Sequence, residues 1–569
     1  MKNHSKSITV RLFSAPLRLR SGAGAFLNSQ LSVLIFLFLI LPFLTPLYGS
    51  TSPASNTRPP ASSVYQFAVP VGARQAYLWI PEDCKYVRGV IISMENMLER
   101  NWLEDPIVRQ AAAKEGLGII WLADGKPTNI TFEMKPDALA EMQQMFADLA
   151  RESGYSEIEF APLIVTGHSW NGRMVWNYPN DNPERVLAAI PIRSYPLPDK
   201  LNFSGIPFCY VVGETTELPQ FSDGRPGDRD FYWPIVRQTG VKLRTANPDN
   251  LISVVTDPGG NHTDWSAHQA DFVALYIRKA CKFRLPVEKP VDRKVTLRKI
   301  DKESGWLTDT GEMEPDRYEP AVYSQFKGDP AKAWWFFDEE TARAAVAFSG
   351  DRKKREKQMP SFVQEGKVQP VDKSGYVQLK FRPDQDGMTF HLQGGFLSEV
   401  PESLVGAGTK LGHGSQEFSF SVTCGPVLQL DKNSFRIQFD RQAFRVPVIQ
   451  VIQNGNEQFR RALQPGKLNI LVRNKEGKPQ KIVFPEIRNQ KKGVKGFRLS
   501  ANADSGLPVQ YYVVSGPAII NGNKLVFTRI PPRSKLPLKV TVVAWQWGSM
   551  ADPLFQTAET VSRTFTIDR

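Results

Sequence analysis

Residues 164–174 read IVTGHSWNGRM. With Pro162 and Leu163 in front, the first part is a mostly apolar run of the kind that forms a strand covered on both faces. Gly167-His168-Ser169-Trp170 then fills the first four positions of G-x-S-x-G, the signature of a serine on a sharp strand-to-helix turn. The fifth position is Asn171, and the glycine arrives one residue later as Gly172. Glycines beside such a serine let helix and strand approach closely. Asn171 therefore brings a side chain into a crowded place, and a left-handed backbone there would cost about 1–2 kcal/mol. The text after Gly172 continues as a short helix before Pro179.

Working outward, 64–286 alternates strand and helix. The strand-like runs are QAYLWI, RGVIIS, LGIIWLA, RVLAAIPI, PFCYVVG and LISVVTD. Helical text falls between them. EDPIVRQAAAKEG opens with acid and proline and stops at glycine, and KPDALAEMQQMFADLARESG puts Leu139, Met142, Phe146 and Leu149 on one stripe. SAHQADFVALYIRKA closes the region, with Ser266 as its cap. Such alternation predicts an α/β fold, a doubly wound and mostly parallel sheet with helices on both faces.

A serine that attacks an acyl group needs a base, an orienting acid and donors for the developing oxyanion. The six histidines are His4, His168, His262, His268, His391 and His413. His168 adjoins Ser169, and neighbouring side chains diverge, so it should not serve as the base. His262 follows the last strand and precedes the closing helix, which places it at the carboxyl ends of the strands with Ser169. It is the expected base. The acid should follow PFCYVVG. Glu217 is the first choice and Glu214 the second, with Asp223, Asp228 and Asp230 in a long Gly/Pro-bearing loop beyond. One oxyanion donor should be the backbone N–H of Trp170, and the other should come from Met94, Glu95 or Asn96. His262, Asp264 and His268 lack a metal-ligand spacing, and no phosphate-binding or dinucleotide glycine loop occurs, so neither metal nor cofactor is expected.

The pattern changes beyond residue 286. A connector over 287–357 holds Trp334, Trp335, Phe336 and Phe337 beside a short helix, and these aromatics are expected to be core. The charged run DRKKREK at its end reads as a solvated linker. From 358 onward, short alternating segments such as EFSFSVTC, VPVIQVIQ, LNILVRN and LKVTVVAWQWG predict β-sandwich modules over 358–475 and 476–569.

Residues 1–50 carry Lys2, Lys6, Arg11, Arg18 and Arg20 before an apolar run, and no acid occurs before Glu82. This is the pattern of an export signal, with an uncleaved anchor as the alternative, and 51–63 is a Pro/Ser linker. Expected locations are the periplasm, the cell surface or the exterior. The formal net charge of +13 favours anionic partners such as acidic polysaccharide. No nucleic-acid module accompanies it, and a membrane would be met only through the N-terminal segment. With four cysteines one disulfide is possible but a disulfide scaffold is not expected, and Cys209 in its apolar run reads as a buried thiol.

On these residues 64–286 resembles an α/β-hydrolase: G-H-S midway, a carboxylate after a later strand, and G-N-H before a final helix. The likeness is to exported esterases of the feruloyl, acetylxylan and polyhydroxybutyrate-depolymerase kind. It implies a serine hydrolase acting on small or polysaccharide-linked esters through an acyl-enzyme, with Ser169, His262 and Glu217 or Glu214 as triad. An inactive hydrolase-fold binding protein and a peptidase are the alternatives. Q-x-I-x-F-P, S-G-L-P-V, S-G-P-A and A-x-Q-x-G, in that order, make the last module similar to bacterial immunoglobulin-like modules.

Overall fold

The computed structural model describes residues 63–123, 136–194, 201, 203–214, 229–288, 293–309, 318–350, 355–402, 407–442, 445–470 and 473–569. The expected export signal, nearly all of the 51–63 linker, and Glu217, Asp223 and Asp228 lie outside them. Residues 53–569 make one compact body.

Eight strands form the central sheet: β1 (Phe67–Val71), β2 (Arg74–Trp79), β3 (Gly89–Met94), β4 (Leu117–Leu122), β5 (Leu163–Ser169), β6 (Val186–Ser194), β7 (Phe208–Gly213) and β8 (Ile252–Asp257). Their spatial order is β1-β2-β4-β3-β5-β6-β7-β8. β2 is antiparallel to β1 and β4, and every pairing from β4 to β8 is parallel. β3 through β8 are buried along their whole length, which is why they read as unbroken apolar runs. This arrangement is consistent with an α/β-hydrolase fold. The sequence reading missed β1, whose text FAVPV contains Pro70. An edge strand tolerates that proline because one side of it makes no ladder.

Six helices accompany the sheet: α1 (Glu99–Leu103), α2 (Pro106–Glu115), α3 (Pro136–Ser153), α4 (Gly172–Asp181), α5 (Arg229–Ala246) and α6 (Ala267–Arg284). The Asp105 carboxylate caps α2 by accepting from Ile107 N–H at 2.8 Å, and Gly116 stops it in the left-handed region at φ 68°. Two expectations are corrected. α4 does not end before Pro179 but runs through it to Asp181. The stretch read as loop around Asp230 is the start of α5.

The connector aromatics are core. Trp334, Trp335, Phe336 and Phe337 are fully buried in the same apolar cluster as the central sheet. Trp334–Phe336 is itself a strand, paired with Trp306–Thr308.

In the next module the strands Ser419–Cys424, Val448–Gln453, Ala462–Asn469 and Val377–Lys380 make a four-stranded sheet around a core that includes Phe362, Leu379 and Phe420. The strand expected at LNILVRN begins earlier, at Ala462, and takes in only Leu468 and Asn469 of that text, with Pro465 and Gly466 hiding its start; Leu471 and Val472 lie outside the described residues. Gly466 is needed there: a Cβ would sit 2.7 Å from the Leu379 and Phe362 side chains.

The last module pairs a four-stranded with a three-stranded sheet, and Phe497 and Phe527 of the smaller meet Phe565 of the larger at ring distances of 5.7 and 6.1 Å. It docks on the hydrolase-like part through Gly516 N–H to Tyr65 C=O at 2.9 Å and Arg533 to Glu157 at 3.0 Å. All four cysteines are buried free thiols, so the one bridge held possible is not made. Burial pushes Cys84 and Cys424 up to about 11, away from the thiolate form. Among the described residues no helix is long and apolar enough to cross a membrane.

Candidate active site

Ser169 ends β5, and α4 begins three residues later. Its φ is 52°, a left-handed conformation that costs a non-glycine residue about 1–3 kcal/mol. Arg193, near the end of the neighbouring strand β6, has φ 49°. Ser194 pairs with Ser169 across a register shift, and its hydroxyl donates to the Ser169 carbonyl at 2.9 Å. Two strained backbones thus sit side by side at the carboxyl edge of the sheet.

The expected backbone problem at Asn171 is absent. Its φ and ψ are −73° and −12°, ordinary helical values, and the strain resides in Ser169. The close approach that demands glycine has moved one residue along. A Cβ on Gly172 would lie 1.7 Å from Ser194 Oγ, and one on Gly167 would lie 2.7 Å from the Asn171 carbonyl. The Asn171 side chain has a task of its own. Its Nδ2 donates to the carbonyls of Met94 and Glu95 at 3.0 and 2.9 Å, tying the elbow to the loop after β3.

His262 lies 93 residues beyond Ser169 in the chain and meets it in space: Nε2 is 2.9 Å from Ser169 Oγ. In the tautomer where the serine hydroxyl donates, Nε2 is the accepting nitrogen of this pair. His168 does not touch the serine hydroxyl. Its Nε2–H instead donates to the His262 carbonyl at 2.8 Å, and the two rings lie 4.5 Å apart. Burial, then the neighbouring His262, hold His168 well below the ordinary histidine range, so the ring is neutral. Its Nδ1 has no hydrogen-bond partner among the described residues, as fits a buried unprotonated nitrogen. Sequence reasoning considered His168 only as a base and missed its hold on the His262 main chain; the signal was its adjacency to Ser169.

Glu214 follows β7, where the acid was sought. Its carboxylate accepts from Gly259 N–H at 2.6 Å and pairs with Arg460 at 3.1 Å, and neither bond goes to His262. Glu217 lies outside the described residues. Asp257 and Asp264, both buried, flank the His262 loop: Asp257 pairs with Arg193, and Asp264 pairs with Arg461 at 2.9 Å. Neither aspartate was picked as a site residue. His268 leaves the site altogether, stacking on Phe348 at 4.2 Å.

On the side where the oxyanion donors were expected, Trp170 follows Ser169 directly and is 39% exposed, with the Arg173 guanidinium 4.1 Å above its ring. The expected second donor does not stand at Glu95 or Asn96. Glu95 N–H bonds the Leu122 carbonyl at 2.8 Å, and the N–H groups of Asn96 and Met97 both donate to Glu99 at 2.7 and 2.9 Å. Glu99 also accepts from His168 N–H at 2.9 Å. Burial, together with the nearby Glu95, outweighs these bonds and pushes Glu99 up to about 8. Met94, also expected there, is buried at the end of β3.

No family model and no curated protein matches the sequence. Solved structures similar to part of the chain include Est1E from Butyrivibrio proteoclasticus, at 14% identity over 38% of this chain and 97% of that one, with a TM-score of 0.26. Alpha/beta hydrolase domain-containing protein 10 from mouse is 12% identical over 38% and 97%, with a TM-score of 0.25. A thermostable esterase is 16% identical over 32% and 50%, with a TM-score of 0.23. At such scores the reading rests on the strand order and on the Ser169–His262 geometry.

Proposed function

We propose that the chain is an exported serine hydrolase that cleaves carboxylic esters through an acyl-enzyme. The observation that carries this is the 2.9 Å contact between His262 Nε2 and Ser169 Oγ on a strained elbow. In the reaction Ser169 Oγ bonds to the ester carbonyl carbon while its proton passes to His262 Nε2. The tetrahedral intermediate collapses, the C–O bond to the alcohol breaks, and His262 returns the proton to the leaving alkoxide. Water then repeats the sequence on the acyl-serine and releases the acid. The Trp170 N–H is the proposed oxyanion donor. Because Glu214 is committed to Gly259 and Arg460, Glu217 is the proposed orienting acid. The immunoglobulin-like identity of the last module, attachment to anionic polysaccharide and location outside the cytoplasm belong to the same reading, and they rest on sequence pattern and net charge.

One observation favours the second reading, an inactive hydrolase-fold binding protein: the N–H groups of residues 95–97 are all engaged within the fold. Labelling with a fluorophosphonate decides between them. Wild type should label at Ser169 and turn over p-nitrophenyl acetate, and Ser169→Ala should do neither. A folded wild type that does not label refutes the esterase reading.

A further inference from the structure

Three consecutive residues, 262–264, are held from outside their own loop, and two of the three holds come from the module over 358–475. The His262 carbonyl is held by His168. The Thr263 carbonyl accepts from Thr423 Oγ1 at 3.1 Å and also from Gln450 Nε2, and the two side chains bond each other at 2.9 Å. The Asp264 carboxylate takes Arg461 Nη1 at 2.9 Å and Nη2 at 3.3 Å.

Thr423 and Gln450 stand on adjacent strands of one sheet, and the pairing shifts register between Val422 and Cys424. Thr423 is the unpaired residue of that bulge, and bulges re-aim side chains out of a ladder. Its carbonyl accepts from Asn101 Nδ2 at 3.0 Å, so the same bulge also grips α1. Close approach is built in as well. A Cβ on Gly259 would lie 2.1 Å from the Arg461 carbonyl, so only glycine lets the base loop and the module's backbone meet. The module also reaches the elbow's other flank, where Gln442 Nε2 donates to Glu95 at 2.8 Å.

We propose that this β-module is part of the catalytic device, with Arg461, Gln450 and Thr423 as positioning residues that hold the His262 loop in register with Ser169. The proposal rests on the esterase reading for its kinetic consequence but not for its structural one. A displacement of about 1 Å at a reacting pair is enough for a 100-fold loss of rate.

The test uses the full chain with Thr423→Val, Thr423→Ser, Arg461→Met and Arg461→Lys. Thr423→Val keeps the volume and removes the donor. Fluorophosphonate labelling and p-nitrophenyl acetate turnover should fall roughly 3- to 10-fold in it and more than roughly 10-fold in Arg461→Met, within the range that such misplacement allows. The fall should lie in kcat with KM nearly unchanged, and Thr423→Ser and Arg461→Lys should recover part of it. Amide hydrogen exchange of the peptide carrying 258–266 should quicken in Thr423→Val and Arg461→Met. If Arg461→Met does not fold, the Thr423 pair decides. Wild-type rates and wild-type exchange in Thr423→Val overturn the proposal. If wild type itself neither labels nor turns over, the esterase reading fails, and exchange alone then judges the positioning.

Discussion

Replacing Asn171 with glycine restores G-x-S-x-G in the sequence and should harm the protein. The side chain gives two hydrogen bonds, to the Met94 carbonyl at 3.0 Å and the Glu95 carbonyl at 2.9 Å. Each contributes about 0.5–1.5 kcal/mol, and Asn171 is half-buried, so water recovers part of the loss. At φ −73° the backbone gains nothing from glycine's freedom and incurs about 0.5–1 kcal/mol of added entropy cost. The terms sum to a destabilisation of about 1.5–4 kcal/mol, in the lower part of that range once water recovers its share. Urea unfolding of wild type, Asn171→Ala and Asn171→Gly separates the parts: the alanine variant reports the hydrogen bonds, and the difference between the two variants reports the backbone. Asn171→Asp should be worse than alanine, since its carboxylate would face two carbonyl oxygens. Fluorophosphonate labelling of Ser169 should slow in all three, because the elbow and the loop after β3 lose their tie. A glycine variant as stable as wild type, or one that labels faster, would refute the reasoning. The serine turn would then have wanted its usual glycine after all.

Gly172→Ala should destabilise the fold by about 3 kcal/mol or more, since its Cβ would fall 1.7 Å from Ser194 Oγ. The double variant Gly172→Ala/Ser194→Gly should recover a large part of that, and strict additivity in the unfolding cycle would show that the two groups do not meet. His168, held well below the ordinary histidine range, makes the folded state bind fewer protons than the unfolded state in acid. Its contribution to stability is therefore present above about pH 6.5 and lost as pH falls below that, at up to about 1.4 kcal/mol per pH unit. His168→Gln keeps a donor for the His262 carbonyl and removes the titration, so its melting temperature should decline less than wild type between pH 6.5 and 5. Equal slopes would show that His168 is not the group responsible.

How much was legible follows from which interactions are local. The six strand-like runs and Leu163–Ser169 announced themselves because a strand buried on both faces must be apolar throughout. Ser169 was legible from the turn that holds it, and His262 from the order of strand, loop and helix around it. β1 and Ala462–Asn469 were not, because each carries a proline that pattern alone reads as a break and that only the neighbouring strands make acceptable. Asn171 was misjudged for a related reason. A sequence shows that a glycine is missing, but not whether the close contact lies at residue 171 or at 172, and that depends on where Ser194 of another strand points.

The sequence by itself determined the strand–helix alternation, the serine at a strand end and the histidine after the last strand, since these follow from burial period and chain order. Tertiary structure alone decided the rest. It set the His168 hold on the His262 carbonyl, the pairing of Glu214 with Arg460, and the reach of Thr423, Gln450 and Arg461 onto the residues beside His262. These last contacts join residues 160 to 197 positions apart in the chain. Hydrogen bonds act over about 3 Å and are blind to sequence separation, so no local pattern carries their trace.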